Sequence, residues 1–144
     1  MKSLAPSPFI VVDTNVIVSA LLKADSMPAM LLGSILSGRQ QIAVDARILL
    51  EYRDVLGRPA FRFDQTLVGV VLEALEYNAL TVAARPLARR LPDLADCKFL
   101  EVAAAVTPPA VLVTGNLRHF PVALCGAVSV LSPRAFFDLY HSRG

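Results

Sequence analysis

Phe9-Ile10-Val11-Val12 is an unbroken apolar run. A run this rich in branched residues predicts a strand buried on both faces of a parallel sheet. Three small polar residues follow, Asp13-Thr14-Asn15, and apolar positions then resume with helical spacing at Val16, Ile17, Ala20 and Leu21. Asp13 is therefore expected where a strand ends and a helix begins. In open parallel sheets ligands bind at that edge. Asp, Thr and Asn also cap helix N-termini, so Asp13 has two readings, cap and ligand.

The same alternation continues along the chain. The first helix is expected to end near Lys23. Ser26 and Pro28 signal the start of a second, which Ser37-Gly38 stops. Gln41 to Val44 reads as a short strand, and Asp45 as the cap of a third helix over 46–56, closed by Gly57-Arg58-Pro59. A fourth helix is predicted over 61–77, with Leu67, Val70, Val71, Ala74 and Leu75 on its apolar face. Ala79 to Val82 suits a strand, 85–92 a loop, and 93–105 a further helix rich in alanine and leucine. Val111 to Thr114 is a second strongly apolar strand with a turn at Gly115-Asn116. A last strand over 128–131 precedes a closing helix opened by Pro133. Residues 1–8 read as a flexible tail, and 9–144 as one domain. Strands alternating with helices predict a three-layer α/β/α sandwich around a central parallel sheet.

Composition sharpens this picture in three ways. The chain of 144 residues is 55% hydrophobic and 18% charged, with mean hydropathy +0.55. Acidic residues and prolines nevertheless interrupt every apolar run, and none reaches the ~18–20 uncharged residues of a spanning helix. No membrane association is expected, and the N-terminus is a poor signal peptide. The apolar surplus has to be covered by a core or a partner, which suggests a homodimer or a companion chain. A net charge of +2 is too small to predict nucleic-acid binding by itself, although Arg85, Arg89 and Arg90 cluster, as do Arg53, Arg58 and Arg62. Cys97 and Cys125 lack metal-ligand spacing and read as reduced thiols of a cytoplasmic protein. With only His119 and His141, a histidine-rich metal site or a Ser-His-Asp triad has little support.

The candidate chemistry lies in acids placed within apolar surroundings. If the strands before Asp13 and Asn116 are parallel neighbours, those two residues are expected side by side at the carboxyl edge. Glu51 sits among Ile48, Leu49, Leu50, Val55 and Leu56, near the buried face of its helix. Asp93 and Asp96 open the helix that continues through Phe99 and Leu100. Capping explains Asp93 better than Asp96. Two like charges 4 Å apart repel by ~4 kcal/mol at an effective dielectric of 20. A fold tolerates that when a cation sits between them or when a carboxyl stays protonated. All-oxygen ligands select hard ions, Mg²⁺ or Mn²⁺. Such an ion polarises phosphate and activates water for in-line attack.

Val11-Val12-Asp13-Thr14-Asn15-Val16, Glu51, Asp93-Leu94-Ala95-Asp96-Cys97-Lys98-Phe99-Leu100 and Leu112-Val113-Thr114-Gly115-Asn116 follow the order and spacing of the PIN domain. Over almost its whole length the chain resembles the bacterial branch of VapC-like toxins from toxin–antitoxin pairs. The resemblance implies a metal-dependent endoribonuclease acting on single-stranded RNA, leaving 5′-phosphate and 3′-hydroxyl ends. It implies that Asp13, Glu51 and Asp96 hold Mg²⁺ or Mn²⁺ and that Asn116 completes the site. Thr14 then places a hydroxyl by a ligand, Asn15 braces the site, and Asp93 and Thr114 support it. A homodimer and an inhibitory antitoxin are further implications. Many members carry Asp where this chain has Asn116, which bears on a second metal. A catalytically decayed binding module is the competing reading. A phosphatase using Asp13 as nucleophile lacks the second Asp, since Asn15 holds that place.

Blander roles compete at single positions. Glu51 could pair with Arg47 one turn earlier, and Asp96 could be an exposed first-turn acid. Lys98 reads as a surface lysine or a phosphate contact. Arg118 and His119 follow the Asn116 turn, within reach of RNA. Met27 and Met30 read as core or interface filler.

Overall fold

The computed structural model describes residues 7–140. β1 (Ile10–Val12) leads into α1 (Thr14–Leu22) and α2 (Met27–Leu36), followed by β2 (Ala43–Val44), α3 (Ala46–Leu56), α4 (Gln65–Asn78) and β3 (Leu80–Thr81). The second half contains α5 (Cys97–Ala105), β4 (Val111–Val113), β5 (Val130–Leu131) and α6 (Pro133–Tyr140). All strand pairings are parallel. β1 pairs with β4, β4 with β5, and β2 with β3. A parallel bridge between Ile10 and Ile42 joins the two groups, giving the order β3-β2-β1-β4-β5. The result is an α/β/α sandwich with β1 at its centre.

The sequence explains these elements locally. The β1 triplet Ile-Val-Val is buried throughout, as expected of a strand covered on both faces. Ser26 caps α2 by accepting from the Ala29 amide at 3.2 Å, and Pro28 lies in the first turn. Gly38 follows α2 with φ +81°, the left-handed conformation that a side chain disfavours. Asp45 caps α3 by accepting from the Ile48 amide at 3.1 Å. α5 packs across β1, β2 and β4, and α3 packs on α1, α4 and α5. The core gathers Ile10, Leu31, Ile48, Leu75, Phe99, Leu112 and Phe136. Among the described residues no single helix is long and apolar enough to cross a membrane.

Three expectations are corrected. The predicted helix over 61–77 begins four residues late. Pro59–Phe61 forms a 3₁₀ turn, Arg62 adopts a left-handed φ of 56°, and Asp64 caps α4 instead. The left-handed residue ends one element and Asp64 starts the next, so the periodicity of 61–64 carried no helix. The buried face of α4 is Val68, Val71, Leu72 and Leu75, while Leu67 and Val70 are 51% and 59% exposed. The predicted helix from Asp93 opens as a 3₁₀ turn over Leu94–Asp96 before α5 begins at Cys97. One smaller difference also stands. The last strand is shorter than 128–131. Of the two roles expected for Met30, core or interface, its exposure leaves the interface. The tail expected over 1–8 lies mostly outside the described residues. Its final pair is tied to Gln40, which accepts from Ser7 Oγ at 2.6 Å and donates to the Pro8 carbonyl at 2.7 Å. His141 also lies outside the described residues.

One buried contact fixes the strand end on which the candidate site is built. Tyr52, fully buried in α3, donates from its hydroxyl to the Val12 carbonyl at 2.5 Å. Removing a buried hydrogen-bond partner costs ~1–3 kcal/mol. Tyr52→Phe is expected to lose that much in urea denaturation with an unchanged m-value. An unchanged midpoint rules out this role for the hydroxyl.

Candidate active site

The carboxyl ends of β1 and β4 lie in register, Val12 against Val113. The Asp13 amide donates to the Val113 carbonyl at 2.9 Å, which carries the pairing one residue past the strand. Asp13 thereby faces Thr114, whose hydroxyl donates to Asp13 Oδ2 at 2.8 Å. Asn116 was expected in that neighbouring place. Thr114 takes it, because the register puts Asn116 two residues further along. The Asn116 amide donates back to Thr114 Oγ1 at 3.0 Å. Asn116 is also absent from the residues that line the cleft.

Asp13 occupies the N-cap position of α1 yet makes no side-chain capping hydrogen bond. Asp96 occupies the same position on α5, likewise without a capping bond. Capping therefore does not account for either acid. Asp93 does behave as a cap, accepting from the Ala95 amide at 3.0 Å. Asp13 and Asp96 are only 6% and 8% exposed. Both line one cleft of ≈300 Å³ together with Thr14, Asn15, Glu51, Phe61 and His119. Phe61 reaches the wall through the 3₁₀ turn before Arg62.

Each neighbouring side chain has an identified partner. Thr14 Oγ1 donates to Glu51 Oε2. Lys98 Nζ pairs with Glu51 Oε1 at 2.6 Å and also donates to the Ala95 carbonyl. Glu51 is thus neutralised by Lys98 and not by Arg47, whose guanidinium is held by Asp45 and Glu101, both at 2.7 Å. Lys98 is largely buried between α3 and α5, not a solvated surface lysine. Asn15 Oδ1 accepts from the Gly115 amide at 3.0 Å and ties the turn after β4 to the start of α1. A Cβ at Gly115 would stand 3.3 Å from that oxygen, so a side chain there pushes against the tie.

Electrostatics separates the acids. Burial raises the Asp13 carboxyl above its usual range, and the Glu51 charge adds to this. The Thr114 hydroxyl and the nearby amides of Asn15 and Thr14 only partly oppose it. Burial also raises Asp96, reinforced by the charges of Asp13 and Asp93 and opposed by His119. Asp96 Oδ2 is buried with no hydrogen-bond partner, and His119 Nδ1 lies 3.0 Å away at ion-pair distance only. Asp93, Asp96 and His119 each bring a ligand atom within 4.8 Å of the others. Orphaned oxygen, like charges held close and an oxygen-rich donor set all fit a divalent cation.

A family model described as PIN domain matches residues 9–118. The chain belongs to the PIN domain family. PIN domains are generally nucleases and usually use divalent metal ions. No curated protein matches the chain. The matched span runs from β1 through the turn after β4, so it contains Asp13, Glu51, Asp96 and Asn116.

Two residues at this PIN-domain site escaped their full reading from sequence. Lys98 was weighed only as surface or phosphate contact, and nothing in one chain announces a lysine that crosses to another helix. His119 was considered for RNA, but its place over Asp96 depends on the 3₁₀ turn Leu117–His119.

The sign of the pH dependence follows from the raised carboxyls. Between the ordinary carboxylate value of ~3.9 and the raised one, the folded protein binds more protons than the unfolded chain, so stability falls as pH rises. Without metal at pH 7, Asp13→Asn relieves the repulsion and keeps an acceptor for Thr114. Its Tm is expected to rise by roughly 2–4 °C, the scale of ~1 kcal/mol in such a domain. The gain over wild type should vanish below about pH 4, where both proteins are uncharged at that position. A gain independent of pH, or a loss at pH 7, contradicts the assignment.

Proposed function

We propose that this PIN domain is a Mg²⁺- or Mn²⁺-dependent endoribonuclease that hydrolyses RNA phosphodiester bonds, and that it serves as the toxin of a toxin–antitoxin pair. One observation carries the nuclease reading. Two buried acids from distant parts of the chain, Asp13 and Asp96, share a cleft and neither spends its side chain on a helix cap. When bound there, a divalent cation polarises a phosphate oxygen and lowers the pKa of a water ligand.

The chain's own residues have separable parts in this reading. Asp13 and Asp96 hold the cation. Glu51 is oriented by Thr14 and charge-balanced by Lys98, which keeps its carboxylate at the rim of the cleft. Asn15 and Thr114 fix the two turns relative to one another. Asn116, expected to close the ligand set, is tied by its backbone amide to Thr114, and it does not line the cleft. Beside the cleft lies a second cavity of ≈510 Å³, and Glu51 lines both. With Lys98 paired to Glu51, Arg90 gives it positive charge, and Leu87 and Leu94 give it apolar wall. That combination suits a single strand, whose phosphates want cations and whose bases want apolar faces.

The toxin role rests on the likeness to VapC-like chains. Exposed Leu22, Met30, Leu67 and Val70 offer apolar surface for a second copy or an antitoxin. One feature favours the competing reading of a non-catalytic binding module, since the Lys98–Glu51 pair removes an acid from the cation's reach.

Cleavage of single-stranded RNA is expected with Mg²⁺ or Mn²⁺ and is expected to stop in EDTA. Asp13→Asn and Asp96→Asn should each lower the rate at least ~100-fold, which corresponds to ~2.7 kcal/mol of lost transition-state stabilisation. Equal cutting by wild type, both variants and the chelated protein would falsify the nuclease reading. Growth arrest on expression, relieved by Asp13→Asn, tests the toxin role separately.

A further inference from the structure

His119 lines the acid cleft and is paired with Asp96, its most weakly committed acid. The turn after β4 continues as a single 3₁₀ turn, Leu117–His119, that swings the imidazole back toward the start of α5. Nδ1 comes within 3.0 Å of Asp96 Oδ2. Apart from this contact, Oδ2 is buried without a partner. An imidazole nitrogen and a carboxylate oxygen at that spacing can share one cation.

The other acids of the cleft are more fully committed. Both Glu51 oxygens are engaged, by Thr14 and Lys98, and Asp13 Oδ2 accepts from Thr114. Asp96 Oδ2 is the one buried side-chain oxygen or nitrogen without a partner among the described residues. Around it, Asp93 and His119 complete a group whose ligand atoms all lie within 4.8 Å of one another. The group is not purely acidic, and its third member changes what it selects. Mg²⁺ keeps to oxygen ligands and water, whereas imidazole suits first-row transition metals.

We propose that His119 Nδ1 is a direct ligand to the cation held by Asp96, with Asp93 as a further protein donor beside Asp13, and that this nitrogen makes the site prefer Mn²⁺ over Mg²⁺. The inference rests on the metal-dependent reading above and adds to it a ligand of a different element. His119 is then a metal-binding residue rather than an RNA contact. Its side chain is 43% exposed, so it can be replaced without opening the core.

The probe is Mn²⁺ itself, added to tag-free protein on a His141→Ala background, so that no other histidine contributes. Pulsed electron paramagnetic resonance of bound Mn²⁺ should show ¹⁴N modulation in that protein and none after His119→Gln. Calorimetry should show Mn²⁺ affinity falling about tenfold or more in His119→Gln, in line with the 10–100-fold cost of disturbing a metal site. Mg²⁺ affinity should change far less. His119→Asp, which restores an oxygen ligand, should bind Mg²⁺ better than His119→Gln and still show no nitrogen coupling. Mn²⁺ binding without nitrogen modulation, or an unchanged Mn²⁺/Mg²⁺ ratio in His119→Gln, overturns the proposal and leaves metal dependence standing. No Mn²⁺ binding up to millimolar concentration overturns both.

Discussion

The parallel register of β1 with β4 holds Asp13 in a place its charge resists. Ile10, Val11 and Val12 are buried and pair residue by residue with Val111, Leu112 and Val113. The pairing extends through the Asp13 amide, so the first residue after the strand has no freedom to turn its carboxylate outward. Burial alone would favour the neutral acid, and the neighbouring charge of Glu51 works in the same direction. The Thr114 hydroxyl recovers part of that cost. Packing in the sheet thus imposes an electrostatic problem at its edge, and that edge is where the chemistry of the family lies.

A large share of this was legible along the chain. The runs 9–12 and 111–114 are apolar, branched and followed by small polar residues, and periodicity alone places both as central strands. Ser26, Asp45 and Gly38 mark helix ends through chemistry that does not depend on tertiary context. The unused capping positions at Asp13 and Asp96 were not legible, because capping residues look identical whether or not the cap is made. Segment 61–64 misled for a related reason. Phe61 and Phe63 stack at 5.3 Å around the left-handed Arg62, and such a local aromatic contact has no helical or strand period. The rotated face of α4 has another cause. Leu67 and Val70 are apolar enough to be core, but the helix packs against α2 and α3 along Val68, Val71, Leu72 and Leu75.

Charge pairing at the cleft depended on distance in space rather than along the helix. Arg47 was the obvious partner for Glu51 at helical spacing, yet Asp45 and Glu101 compete for it and both lie at 2.7 Å. A bidentate guanidinium between two carboxylates is a better use of its fork than one helical neighbour. Glu101 is also held by the Leu87 amide at 3.2 Å, which fixes the loop over the second cavity. With Arg47 occupied there, Glu51 is paired with Lys98, whose ammonium also lies over the Phe99 ring, 5.0 Å from its centroid.

This division of partners decides which acids carry unbalanced charge. Glu51 has a cation at 2.6 Å and a hydroxyl, so its carboxylate is already stabilised before any metal arrives. Asp96 has neither a lysine nor an arginine, and its nearest basic group is an imidazole that is cationic only when protonated. The Asp13 charge acts directly against an ionised Asp96, and no lysine or arginine beside Asp96 offsets it. The carboxylate charge left without a lysine or arginine partner therefore lies on the Asp96 side of the cleft, beside the imidazole nitrogen.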